Sequence, residues 1–274
     1  MTDSKRSRLI GGIIGTLLAF LIISPILYCL TSSFYEEAQF YLRPVKFLPA
    51  PWDTSNYREA ISTAPILRFI FNSFFTAIVI MGVQLFTGSL AGFAFGCLKF
   101  RGQKALFMVF LATMMIPGQA IIISNYLTVA HMGIIDTYWA LVLPYLTSAF
   151  SVFNMRQAYK SIPTELMESA EIDGANSFQF LIRVGFPLTL PFLGSIGIYS
   201  FIMAYNQYLW PLLVVNSRTM RTIQIGIGML RDEEGSSYGR IMAGTMMALV
   251  PSIAIFLIGQ KTLISGLTAG AIKG

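Results

Sequence analysis

The chain has 274 residues, a mean hydropathy of +0.66, 55% hydrophobic residues and only 12% charged ones, against roughly 25% charged residues in soluble domains. That balance excludes a soluble globular domain and describes an integral membrane protein. A net charge of +6 does not point to nucleic acid, because the 19 Lys and Arg are dispersed along the chain rather than gathered in one patch.

A bilayer core needs about 20 apolar residues per helical crossing. Six runs qualify, near 10–31, 69–96, 105–127, 138–155, 188–215 and 239–260. The expectation is an all-α, polytopic membrane protein with six transmembrane helices in a single domain, 1–274. A cytoplasmic N-terminus puts eleven cations inside (Lys5, Arg6, Arg8, Lys99, Arg101, Lys104, Arg156, Lys160, Arg183, Lys261, Lys273) and eight outside. The short inner segments KRSR (5–8) and LKFRGQK (98–104) are the kind that set orientation, so both termini are expected in the cytoplasm.

The first run follows a basic flank, as a signal peptide does. It is too long for that role and no small-x-small cleavage site follows, so a retained helix is expected. Tyr28 is bulky where ILYC (26–29) would need a small residue for lipidation. Cys29 and Cys97 fall on opposite sides in this topology, and no disulfide or metal framework follows from them. The next segment, roughly 32–68, carries EEAQFYLRPVKFLPAPWDTSNYREA, whose Pro, Trp and Tyr content argues for a folded cap on the outer face.

In the second run Gly88, Gly92 and Gly96 form a small-residue stripe on which another helix packs closely. Pro25, Pro117 (before Gly118), Pro144, Pro211 and Pro251 lie near or within crossings. Each frees a carbonyl that needs another donor, so bent helices around a shared path are expected. The only histidine, His131, sits in the short outer turn VAHMGIID, where a surface role is expected. No Asp or Glu lies within a run, which excludes an aspartyl intramembrane protease and counts against a proton-coupled carrier. Sodium coupling through backbone carbonyls stays open. No G-x-x-x-x-G-K-[ST] loop is present, so any ATPase must be another chain.

Between the fourth and fifth runs, in the loop 160–187, Glu165, Glu168, Glu171 and Asp173 are followed at once by Gly174. Pro163 suits the first turn of a helix over about 163–172, with Glu165 and Glu168 near its positive end. Gly174 turns the corner, and Asn176 with Gln179 forms a capping pair for a second helix returning to the bilayer. Leu166, Met167 and Ala170 beside these carboxylates read equally as a docking plug for a cytoplasmic partner or as an ordinary interfacial helix. In the fifth run Ser195, Ser200, Tyr205, Asn206, Gln207 and Tyr208 bring hydroxyls and amides into an apolar stretch. They serve either a polar solute pathway or hydrogen bonds across helices.

Glu168-Ser169-Ala170, three residues, Gly174, nine residues, then Val184-Gly185-Phe186-Pro187 resembles the EAA loop of binding-protein-dependent ABC importer permeases. It departs in Ser169 for Ala, Val184 for Ile and Phe186 for Leu. The pieces PAPWDTSNYREA, NQYLWPLLV (206–214) and QKTLISGLTAGAIKG (260–274) are similar to the carbohydrate-uptake branch, including maltose-type and glycerol-3-phosphate-type importers.

The resemblance implies a non-catalytic subunit in a bacterial or archaeal cell membrane, working with a second permease subunit, two ATPase subunits and an extracytoplasmic solute-binding protein. No cofactor or metal would bind this chain, since ATP and Mg would sit on the ATPase. Glu165, Glu168, Ser169, Ala170, Asp173 and Gly174 would couple to that ATPase, and Gly270 through Gly274 would reach toward it. A secondary carrier and a non-transporting membrane scaffold are the competing readings. The first leaves the acidic elbow unexplained, and the second the polar fifth run.

Overall fold

The computed structural model describes residues 2–44, 47–231 and 237–269, with side chains from residue 10 to residue 260. Regular structure among these residues is entirely helical. In chain order the helices are α1 (Thr2–Ser32), α2 (Ser55–Thr63), α3 (Ile66–Gly96), α4 (Gln103–Met114), α5 (Ile122–His131), α6 (Tyr138–Val142) and α7 (Ala149–Lys160). They continue as α8 (Thr164–Ile172), α9 (Ser177–Phe180), α10 (Phe186–Tyr205), α11 (Leu209–Val214), α12 (Ile223–Gly228) and α13 (Tyr238–Ala269). The expected role of Gly270 through Gly274, and Lys46 in the charge balance, lie outside the described residues.

Four described stretches are long and apolar enough to cross a membrane: Ile10–Ser32, Ile66–Gly96, Ser177–Tyr205 and Tyr238–Gln260. A fifth is reached if Gln103–Met114 and Gly118–His131 form one span, bent by 89°. The run 105–127 is therefore not a straight helix. Pro117 adopts an extended backbone (φ −59°, ψ 131°) between α4 and a 3-10 turn, Gly118–Ile121, as a residue without an N–H does when it stops a helix.

The run 138–155 is also divided. Pro144 lies in a 3-10 turn, Leu143–Tyr145, and Ser148 then caps α7 by accepting from Ser151 N. The fifth run stops at Tyr205 and resumes at Leu209 as α11. Pro25 and Pro251, by contrast, lie inside unbroken helices.

The described residues form two compact units, one drawn from 2–67 with 226–250 and the other from 68–225 with 251–269. In the first, the segment after α1 is folded. Asn56 donates its side-chain amide to the Ser33 and Tyr35 carbonyls (3.0 and 2.8 Å), and Phe34 packs against Trp52 and Tyr57. Gly239 lies against the Asn56 side chain where any Cβ would collide. Ser55 donates its N–H and hydroxyl to Asp53, which holds that carboxyl below the usual aspartate range.

In the second unit α3 and α7 approach through the glycine stripe. A Cβ on Gly88, Gly92 or Gly96 would meet Ser151, Met155 or Tyr159 respectively, each on α7. Around that contact Phe93, Met155, Tyr159, Phe180, Leu181, Leu193 and Ile196 form a buried cluster. Inside it the Ser89 and Tyr159 hydroxyls share a hydrogen bond of 2.6 Å, so neither is left unpaired.

Candidate coupling elbow and polar cavity

α8 begins after Pro163 and ends in a cap that the sequence dictates. Gly174 takes φ +81°, which costs a residue without a Cβ nothing. Its N–H bonds the Glu171 carbonyl at 3.0 Å, and Ala175 N–H bonds the Ala170 carbonyl at 2.9 Å. These two bonds make a Schellman motif, which satisfies the last carbonyls of α8. Asn176 then opens α9 with a reciprocal capping box: Gln179 N donates to Asn176 Oδ1 and Asn176 N to Gln179 Oε1, both at 2.9 Å. A π-helical segment, Leu181–Gly185, carries the chain into α10. Thr189 returns a hydroxyl to the Gly185 carbonyl at 2.9 Å.

The elbow has two faces. Met167, Ala170 and Val184 pack against the buried cluster around Phe93 and Tyr159. Glu165, Glu168, Ser169, Asp173 and Gly174 are exposed. The docking plug expected at Leu166, Met167 and Ala170 is thus divided, since only Leu166 is exposed while the other two turn inward. Exposed apolar side chains beside the carboxylates are instead Ile172, 86% exposed, and Phe178, 65% exposed. Both follow the inward residues by a fraction of a turn or a cap, a placement that depends on where the corner falls.

The polar residues of the fifth run do not stay together. An open cavity of about 450 Å³ is lined by Ser200, Gln207 and Tyr208, with Gln84, Gln119 and Tyr199 from elsewhere in the chain. Gln84 donates to the Tyr145 carbonyl at 2.6 Å, and Trp210 to the Ala140 carbonyl at 2.9 Å. Tyr205 and Asn206 lie outside this lining. Tyr205 is buried and stacks on Phe201, and Asn206 bonds the Ile202 carbonyl and Gln224, each at 3.0 Å. Gln84 was legible as an amide within the second apolar run, but only folding brings it to the cavity.

Two further polar locks lie apart from these sites. Fully buried Asn72 donates to the Thr219 and Arg221 carbonyls (2.8 and 2.9 Å) and accepts from the Tyr138 hydroxyl at 2.6 Å. Asp136, at φ +62°, accepts from Asn216 N, Ser217 N and Ser217 Oγ, each at 3.0 Å. Burial opposes ionisation of Asp136, but the bonds from Ser217 and Asn216 outweigh it and hold the carboxyl below the usual aspartate range. His131 is exposed at the end of α5, with Nδ1 2.7 Å from the Leu127 carbonyl. No group of three or more His, Cys, Asp or Glu able to hold a metal occurs among the described residues.

Comparison with known proteins agrees with the fold. The sn-glycerol-3-phosphate transport system permease protein UgpE of Rhizobium meliloti (strain 1021) is 31% identical over 95% of this chain and 96% of its own length. The arabinooligosaccharides transport system permease protein AraQ of Halalkalibacterium halodurans is 29% identical over 94% of this chain and 93% of its own. Among solved structures, a chain of a bacterial ABC transporter involved in import of the acidic polysaccharide alginate superposes with a TM-score of 0.83 at 21% identity, covering 95% of this chain and 98% of that one. Residues 84–264, which hold the elbow, the glycine stripe and the polar lining of the cavity, match the family described as binding-protein-dependent transport system inner membrane component, and the chain belongs to that family.

Proposed function

We propose that the protein is the permease subunit of an ATP-driven importer for a carbohydrate or a polyol phosphate such as glycerol-3-phosphate. The observation that carries the reading is the elbow: a rigidly capped helix whose inner face is seated on the core and whose outer face presents Glu165, Glu168 and Asp173. Such a helix transmits displacement to α10, because the chain runs from Gly174 through the capping box and π-segment into that span without a loose linker. An ATPase subunit docks on the exposed face, and movement of the elbow opens the pathway alternately to either side. Glu165, Glu168, Ser169, Ala170, Asp173 and Gly174 form the coupling segment, and Ile172 and Phe178 add apolar contact.

The six crossings, with both termini cytoplasmic, include the bent α4–α5 pair and the divided α6–α7 run. The other components are a second permease subunit, two ATPases and an extracytoplasmic solute-binding protein. Relatives named for glycerol-3-phosphate and for arabinooligosaccharides support the solute class, and the amides and aromatic faces of the cavity suit hydroxylated ligands. Ser200, Gln207 and Tyr208 border the path, while Tyr205 and Asn206 make helix contacts outside it.

Co-expression with the ATPase and second permease tests the reading. Glu168→Lys and Gly174→Pro are expected to abolish co-purification of the ATPase while the chain still inserts in the membrane. Unchanged association and unchanged solute-stimulated ATP hydrolysis would leave α8 as an interfacial helix and sink the coupling role.

A further inference from the structure

Where the end of α3, the start of α4, α7 and the start of α8 converge lies an open cavity of about 470 Å³. Lys99, Lys104, Arg156 and Lys160 line it, and no carboxylate does. Arg156 is held in place, with Nε donating to the Phe95 carbonyl at 3.2 Å and the guanidinium 4.0 Å from the Phe107 ring centre. That leaves its terminal nitrogens for a ligand. The side chains of Lys99, Lys104 and Lys160 make no ion pair or hydrogen bond among the described residues.

Pro163 and Thr164 open α8 on the same cavity, and no side chain caps that end. Its free N–H groups and the positive end of its dipole therefore add to the four cations. The carboxylates of α8, Glu165, Glu168 and Glu171, are exposed and do not line the cavity.

Four like charges around one cavity repel each other unless an anion sits among them. Lys ammonium groups and an Arg fork are the donors that match a phosphate's several oxygens, and basic pockets between membrane helices take phospholipid headgroups. We propose that this cavity binds a phosphate oxyanion, carried by an anionic phospholipid headgroup or as free phosphate. Neither the coupling role nor the solute pathway requires it. Bound there, the anion ties the start of α8 to α3, α4 and α7.

The purified full chain, delipidated in a zwitterionic detergent, is titrated with dioleoylphosphatidylglycerol or dioleoylphosphatidylcholine under native mass spectrometry. Inorganic phosphate is titrated separately by equilibrium dialysis. Saturable retention of phosphatidylglycerol over phosphatidylcholine, weakened about 10-fold or more in Lys99→Gln/Lys104→Gln/Lys160→Gln, supports the site and identifies a lipid source. Saturable phosphate binding lost in that variant, without lipid preference, supports the site with a free anion. The three lysines are exposed, so folding is not at stake in the variant. A wild-type chain that neither prefers phosphatidylglycerol nor binds phosphate, or a variant that binds as well as wild type, overturns the proposal.

Discussion

At Gly92 the backbones of α3 and α7 meet so closely that a Cβ would lie 2.5 Å from Met155 Cβ and 2.8 Å from Arg156 N. The second neighbour is backbone and does not swing aside. Gly92→Ala is therefore expected to destabilise the detergent-solubilised protein by about 2 kcal/mol, read as a lowered midpoint of thermal unfolding. Gly82→Ala on the same helix, with nothing within 4 Å, should leave the midpoint unchanged or slightly raised. Equal effects at both positions would mean that the approach is not what the stripe provides.

Asp136 makes a different kind of prediction. Its folded-state pKa is depressed, so its contribution is fully present above the ordinary aspartate value of about 3.9 and is lost as pH falls through the lower folded value. Asp136→Asn should cost about 1–2 kcal/mol at neutral pH. The unfolding curves of variant and wild type should converge on acidification below that ordinary value. A gap that persists there would show that geometry rather than charge sets the cost.

Gly174 places its demand on a whole element. Nothing lies within 4 Å of where its Cβ would be, yet φ is +81°. The cost of Gly174→Ala is therefore backbone strain alone, about 1–2 kcal/mol. It should appear as faster hydrogen exchange at the amides of residues 174 and 175, which hold the Schellman bonds, with α3 and α7 unaffected. Unaltered protection at those amides would contradict the cap as the element's stop. Much of this element was legible beforehand. Pro163, Gly174 and the Asn176–Gln179 pair each act through the local backbone, so their spacing alone places α8, the corner and α9. Which residues of α8 face outward was not legible, because Met167 and Ala170 are drawn in by a seat built from α3, α7 and α10.

For the molecule as a whole, orientation is the property that every functional statement depends on. With Cys29 and Cys97 replaced by Ser, a single cysteine at Asp53 should react with a membrane-impermeant maleimide in intact cells. One at Glu168 should react only after the membrane is opened. Labelling of Glu168→Cys from outside would reverse the orientation and remove the elbow from the compartment where ATP is found. The small excess of inner cations over outer ones makes this test worthwhile, because the bias rests mainly on two short segments. The division into two compact units also belongs to this scale, and no local pattern in the chain announces it.

Membrane class, helical architecture and the elbow with its caps followed from the amino-acid sequence by itself. Each depends on composition or on contacts a few residues apart. Tertiary structure alone decided that the run 105–127 bends by 89° and that Gly88, Gly92 and Gly96 meet α7. It also placed Gln84 with Ser200, Gln207 and Tyr208 around one cavity while leaving Tyr205, stacked on Phe201, and Asn206, bonded to Gln224, outside its lining. The physical reason is the same in each case. An apolar run states that a residue must leave water, but the partner that receives its polar groups lies tens of residues away and is known only once the helices have packed.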